Sequence, residues 1–127
     1  MKLSMRYIIL YVNNLQKSTE FYQKTLNLTL KGDHGTYIEF DTGNTLLGLI
    51  EKEHVAEMTG LPVNKKDRVS PTFEIAFVVD NVNSTIEKLR SLEVPILVET
   101  IVKPWGQKVA YIADPDGHFI EICSPME

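Results

Sequence analysis

The feature that most limits what this chain can fold into is a degenerate internal repeat. Residues 6–12 form a mostly aliphatic and aromatic run, read as a buried strand, and Asn13-Asn14 supplies the N-cap of a helix over 15–26. On that helix Leu15, Phe21, Tyr22 and Leu26 share one face, with Gln16, Lys17, Glu20, Gln23 and Lys24 on the other. Three strand candidates follow at 28–31, 36–41 and 45–50, separated by the turn-forming Gly32-Asp33-His34-Gly35 and Thr42-Gly43-Asn44. The same order then restarts. A strand over 72–79 leads to the cap residues Asp80-Asn81 and a helix over 82–92, with Val82, Ile86 and Leu89 on one face. Strands at 96–103, 108–113 and 119–123 follow, turned at Trp105-Gly106 and Asp114-Pro115-Asp116-Gly117. An offset of 67 sets Ile8 on Ile75, Val12 on Val79, Asn14 on Asn81 and Glu20 on Glu87, with Leu15/Val82 and Ser18/Thr85 as conservative matches. By the far end the offset is 73, pairing Asp41 with Asp114, Leu46 with Phe119 and Leu47 with Ile120.

The fold class this predicts is α+β, two tandem β-α-β-β-β modules; three strands after each helix argue against the ferredoxin-like plan. A chain of 127 residues is one domain, or two half-sized units sharing a core. Module 1 covers about 1–51 and module 2 about 71–127. The stretch between, 52–70, is polar, holds Gly60, Pro62 and the charge run Lys65-Lys66-Asp67-Arg68, and reads as a linker with room for one helical turn around 55–58.

Charge and cysteine content narrow the function classes. Thirteen Lys and Arg against 17 Asp and Glu give a net charge of -4 without a basic block, so a nucleic-acid partner is not expected. No apolar run approaches the roughly 18 residues of a membrane span, and the start lacks a signal-peptide core, so the expectation is a cytoplasmic protein with no membrane partner. The lone Cys123 excludes an intrachain disulfide and a multi-cysteine zinc site.

Strand alternation then separates two faces. Ile8, Leu10 and Val12 point toward the first helix, leaving Tyr7, Ile9 and Tyr11 opposite. Phe73, Ile75, Phe77 and Val79 point toward the second helix, leaving Thr72, Glu74, Ala76 and Val78 opposite. Ile120 and Ile122 pack inward, while Phe119, Glu121 and Cys123 take the remaining face. This second face mixes apolar side chains with the acids Glu74 and Glu121, the composition of a partly apolar binding surface.

Two stretches carry a family resemblance: Leu15-Gln16-Lys17-Ser18-Thr19-Glu20-Phe21-Tyr22 with Leu26, and Lys103-Pro104-Trp105-Gly106 through Asp114-Pro115-Asp116-Gly117-His118-Phe119-Ile120-Glu121. In them the chain resembles the vicinal oxygen chelate superfamily, the group of glyoxalase I, bleomycin-resistance proteins, fosfomycin-resistance enzymes and extradiol dioxygenases. The second stretch is the more specific, combining a DPDG turn, two apolar strand residues and an inward Glu after a Trp-Gly loop. The resemblance implies a cupped, open mixed sheet (the glyoxalase/bleomycin-resistance/dioxygenase fold), a small-molecule ligand or substrate in the cup, and a homodimer. It also implies metal positions at Tyr7, Glu74, Gly48 and Glu121. These depart from the glyoxalase pattern of His or Gln on the first strands and Glu on the last. Gly48 has no side chain, Tyr7 is a poor ligand while its phenol keeps its proton, and no histidine occupies any of the four. A typical lactoylglutathione lyase is therefore not expected.

What remains is the carboxylate pair Glu74 and Glu121, the candidate catalytic residues and an incomplete metal site. Two acids in a partly apolar surface repel, so either one holds a proton or a cation lies between them. The cation is a divalent metal (Mg, Mn, Zn, Ni or Fe), with hard ions suiting two carboxylates and waters, or a cationic ligand. An acid with a raised pKa would also serve as a general base. The expected ligand-binding residues are Tyr7, Ile9, Tyr11, Gly48, Ile50, Ala76, Trp105, Phe119 and Cys123. Trp105 follows Pro104 in a loop where an exposed indole is costly, so it is read as a pocket cap, with a dimer contact as the rival. His34, His54 and His118 fall in turns or the linker, where a solvated imidazole is the default. The function expected is small-molecule binding without a full glyoxalase metal site. The alternatives are a divalent-metal enzyme of lyase, isomerase or dioxygenase type, and a dimerisation module with a vestigial cup.

Overall fold

In the first module, strand β1 (Tyr7–Val12) leads into helix α1 (Leu15–Glu20), then strands β2 (Thr29–Asp33), β3 (Tyr37–Asp41) and β4 (Leu46–Glu51). The computed structural model describes residues 1–2, 5–59, 61, 63 and 73–126. The sheet order is β1-β4-β3-β2, with β1 parallel to β4 and the other pairs antiparallel. The alternation that the sequence predicts sets the core: Leu10, Val12, Ile38, Phe40, Leu47 and Leu49 are buried, with Tyr22 fully enclosed among them.

Helix α1 starts where expected, the Asn14 side chain accepting the Lys17 N–H at 3.0 Å. It does not run unbroken to Leu26. Phe21–Thr25 is a π-helical turn, in which the Leu26 N–H reaches the Phe21 carbonyl at 3.0 Å. The repeat supplies the reason. The helix caps Asn14 and Asn81 are equivalent, as are the left-handed residues that close the two helices, Asn27 (φ 58°) and Glu93 (φ 63°). The first module has one residue more between these points. A single widened turn absorbs an extra residue without rotating the rest of the helix off its core face. Tyr22 thus keeps its place, edge-on to Phe21 at 5.1 Å between ring centroids and 6.2 Å from Phe40.

The second module is strand β5 (Glu74–Val78), helix α3 (Val82–Ser91), and strands β6 (Ile96–Val102), β7 (Lys108–Ala113) and β8 (Phe119–Cys123), in the order β5-β8-β7-β6. Strands β5 and β8 pair in parallel, and β8–β7 and β7–β6 antiparallel. Val82, Ile86 and Leu89 are buried as expected, and α3 packs on β6, β7 and β8 over Ala110, Ile112, Ile120 and Ile122. Phe73 is a correction. It precedes the paired part of β5 and is exposed, while Thr72, which the sequence assigns to the same strand, lies outside the described residues.

The chain divides into two compact units, Met1–Val69 and Ser70–Glu127, and each holds one open four-stranded mixed sheet. The stretch read as a linker opens with a helix, α2 (Lys52–Thr59), longer than the single turn expected around 55–58. Its sequence is polar, but the buried Val55 anchors it where α2 packs on β4 and β1. The charge run Lys65 to Arg68 lies outside the described residues. Among the described residues no helix is long and apolar enough to cross a membrane.

Candidate functional site

On the second unit the two candidate acids meet on one sheet face. Register brings Ala76 of β5 and Tyr111 of β7 to either side of Glu121, with Glu74 opposite Phe119. The Tyr111 hydroxyl donates to Glu121 Oε2 at 2.7 Å. The Glu74 carboxyl is coupled electrostatically to the same cluster, through Glu121, Tyr111 and Lys103. Partial desolvation and then the Glu121 charge raise the Glu74 pKa above its ordinary 4.5, opposed by Tyr111 and the Lys103 ammonium. The bond to Glu121, followed by burial, holds the Tyr111 phenol protonated far above its ordinary value. Burial, then Glu121, pushes the Cys123 thiol up as well, so this buried cysteine is no ready nucleophile. Ala76 and Phe119 are exposed beside the acids.

Trp105 sits at the edge of this unit in a tight turn after β6. The residue is 62% exposed. Polar contacts compensate: its ring N–H donates to Gln107 Oε1 at 3.0 Å, and the Lys103 ammonium lies 5.4 Å from the ring centroid. The same ammonium is 6.0 Å from the Tyr111 ring.

The first unit is built differently at the equivalent positions. Tyr7, Ile9 and Tyr11 follow one another on β1, opposite Leu46, Gly48 and Ile50 of β4. Tyr7 and Ile9 are exposed, Tyr11 is half-buried, and Gly48 and Ile50 are buried. Over Gly48 lies the ring of Tyr37: a Cβ added at Gly48 would fall 2.5 Å from the Tyr37 hydroxyl. That hydroxyl donates to Glu39 Oε2 at 2.9 Å, and burial, then Glu39, pushes its pKa up to about 12. Glu39 faces Gly48 across the β3–β4 ladder, just as Tyr111 faces Glu121. Each unit therefore carries a phenol–carboxylate pair, with acid and phenol differently placed. Tyr37, Glu39, Lys103 and Tyr111 are absent from the residues that sequence reasoning selects. The period-two pattern of β3 and β7 places Tyr37, Glu39 and Tyr111 on a face, where Tyr37 and Glu39 are neighbours two residues apart on one strand, but what Tyr111 and Gly48 meet follows from strand register, and Lys103 is placed by the turn after β6.

The four positions that the resemblance gives to a metal do not fit a glyoxalase set. Tyr7 offers a phenol, Gly48 offers nothing and its side-chain space is filled by Tyr37, and only Glu74 and Glu121 offer hard ligands. Converging His and carboxylate donors occur elsewhere among the described residues, in Glu51/Glu53/His54 and Asp114/Asp116/His118. The second of these locks a turn. Buried Asp114 accepts the Asp116 and His118 N–H groups through Oδ1 at 2.9 and 2.8 Å, and its Oδ2 meets His118 Nδ1 at 2.7 Å. His118 is thus tied down rather than freely solvated. Glu51 accepts the Leu15 N–H at 3.0 Å and lies 3.5 Å from His54. Both border an open groove of about 630 Å³ between α1 and the β2–β3 hairpin, whose lining includes none of the expected catalytic, metal or ligand-binding residues.

Two β-α-β-β-β modules with open mixed sheets define a protein of the vicinal oxygen chelate superfamily. A glyoxalase-like domain model matches residues 5–127, and the chain belongs to that family. The chain is 32% identical over 119 residues to the uncharacterized protein YraH of Bacillus subtilis (strain 168), covering 91% of this chain and 93% of that one. It is 28% identical over 124 residues to the lactoylglutathione lyase of Escherichia coli O157:H7, covering 95% and 92%. Among solved structures it is similar to a glyoxalase/bleomycin resistance protein/dioxygenase from Nocardioides, with a TM-score of 0.87 at 22% identity over 100% of this chain and 86% of that chain. At that identity the likeness concerns the fold alone.

Proposed function

We propose that this glyoxalase-family protein binds a small organic molecule on the sheet face of its second unit, through Glu74, Glu121, Tyr111 and Trp105, without a full glyoxalase metal set. The observation that carries the reading is the cluster itself. Two carboxyl groups share one patch with a phenol that donates to Glu121, beside an exposed indole. Polar groups converging next to aromatic surface are what a small-molecule site needs. The donor set at positions 7, 48, 74 and 121 argues against glyoxalase-type metal chemistry.

A second reading has its own support: adjacent carboxylates are a place for a hard divalent ion, as in a metal-dependent lyase, isomerase or dioxygenase. One experiment separates the two. Protein purified without chelator or nickel is analysed for metal, then stripped and titrated with Mg²⁺, Mn²⁺, Zn²⁺ and Ni²⁺. The expected result is no stoichiometric metal that depends on Glu121, together with small-molecule quenching of Trp105, the only tryptophan. Near-stoichiometric metal that disappears in Glu121→Ala overturns the binding reading in favour of the enzyme.

A further inference from the structure

We propose that Lys103 is a resident counter-ion in a cage of aromatic rings and carboxylates on the second unit, and that the cage takes an organic cation, an alkylammonium head group, in its place. The inference rests on the binding reading above and narrows it to a ligand class. The Lys103 ammonium lies 5.4 Å from the centroid of Trp105 and 6.0 Å from that of Tyr111. Two ring faces directed at one cation give the arrangement that favours ammonium groups, because each ring presents its negative face. The carboxyl of Glu74 senses the same positive charge, and Glu74 in turn adjoins Glu121. Two rings therefore border a position that a lysine of this chain now serves, with the Glu74 carboxyl coupled to it and Glu121 next to Glu74.

The cage walls are fixed, while the occupant is not. Trp105 stands on a Lys103–Gly106 turn closed by the Gly106 N–H to the Lys103 carbonyl at 2.8 Å, with Gly106 at φ 89°. The Lys103 N–H to the Gln107 carbonyl, also 2.8 Å, ties the base of the loop. From the side, Gln107 accepts the indole N–H at 3.0 Å and donates its own amide to the Ser124 carbonyl at 2.9 Å. The indole is thus held by its edge, with the Lys103 ammonium over its face. Tyr111 is held by its hydroxyl at Glu121. Among the described residues no hydrogen bond or close ion pair pins the Lys103 ammonium. It sits on a flexible four-carbon stem and is strongly hydrated, whereas a trimethylammonium group is weakly hydrated and gains more from ring faces.

The test follows Trp105 fluorescence in the full chain, titrated with choline against its neutral isostere 3,3-dimethylbutan-1-ol at matched ionic strength. Wild type, Lys103→Gln and Lys103→Met are compared, each checked for folding by circular dichroism. The expected result is a choline midpoint about threefold to tenfold lower in both variants than in wild type, and no saturable response to the alcohol. An unchanged or higher midpoint in the variants, or an alcohol response matching choline, overturns the proposal. If choline is silent while a neutral compound saturates Trp105 quenching, the cation class falls and the binding reading stands. If nothing saturates it, both fall.

Discussion

Glu74 links the candidate site to stability. Its pKa is raised above 4.5 by partial desolvation and by Glu121. A carboxyl that holds its proton more tightly in the folded state stabilises the fold fully below its unfolded pKa, and that contribution is lost as pH rises through the folded pKa. Glu74→Gln should therefore raise the melting temperature at about pH 7 and leave it unchanged near pH 3, the gain held under about 1 kcal/mol by the exposure of this side chain. Thermal melts at the two pH values check this, and an equal gain at both refutes the linkage. Tyr111→Phe removes the donor to Glu121 and should cost about 1–2 kcal/mol. Because Tyr111 also holds the Glu74 pKa down, the same variant should shift the Glu74 titration further upward, read by carboxyl ¹³C chemical shifts. Glu74 and Glu121 are legible in the sequence as acids on an otherwise apolar face. Tyr111 is not, because its role depends on standing opposite Glu121 across a ladder that joins residues 10 apart.

The two helices end alike but at different cost. Glu93 and Asn27 both adopt the left-handed conformation that closes a helix, a geometry natural to glycine and tolerated by asparagine. Glu93→Gly should stabilise the protein by about 0.5–1 kcal/mol, and Asn27→Gly by less. Urea denaturation should show the higher midpoint for Glu93→Gly with an unchanged slope. Equal gains at the two sites would mean that the asparagine offers no advantage there. Strand positions were readable to within about two residues because alternation and turn residues are local signals. The π turn was not. An extra residue in one copy of a repeat is visible only when both caps are fixed in space.

Across the whole chain, the internal repeat gives two modules with the same topology and different faces. Gly48 is the sharpest difference: its equivalent, Glu121, accepts from Tyr111, whereas Tyr37 covers Gly48 itself. Gly48→Ala should destabilise by about 1–3 kcal/mol, since its Cβ would collide with the Tyr37 ring. In a Tyr37→Ala background the penalty should largely vanish, giving a coupling energy in a double-mutant cycle. Additive effects of the two substitutions would show that the ring does not fill this space.

The repeat, the caps and the alternation of apolar residues determined the class of fold and the core, because burial of apolar faces at a fixed period is written locally. They also placed Glu74 and Glu121 on one face, since alternation needs no tertiary information. Tertiary structure decided the rest. The register of β7 against β8 set Tyr111 on Glu121, side-chain packing put Tyr37 over Gly48, and the turn after β6 brought Lys103 over two aromatic rings. Each of these depends on distances between segments that the chain order leaves open until the sheets have formed.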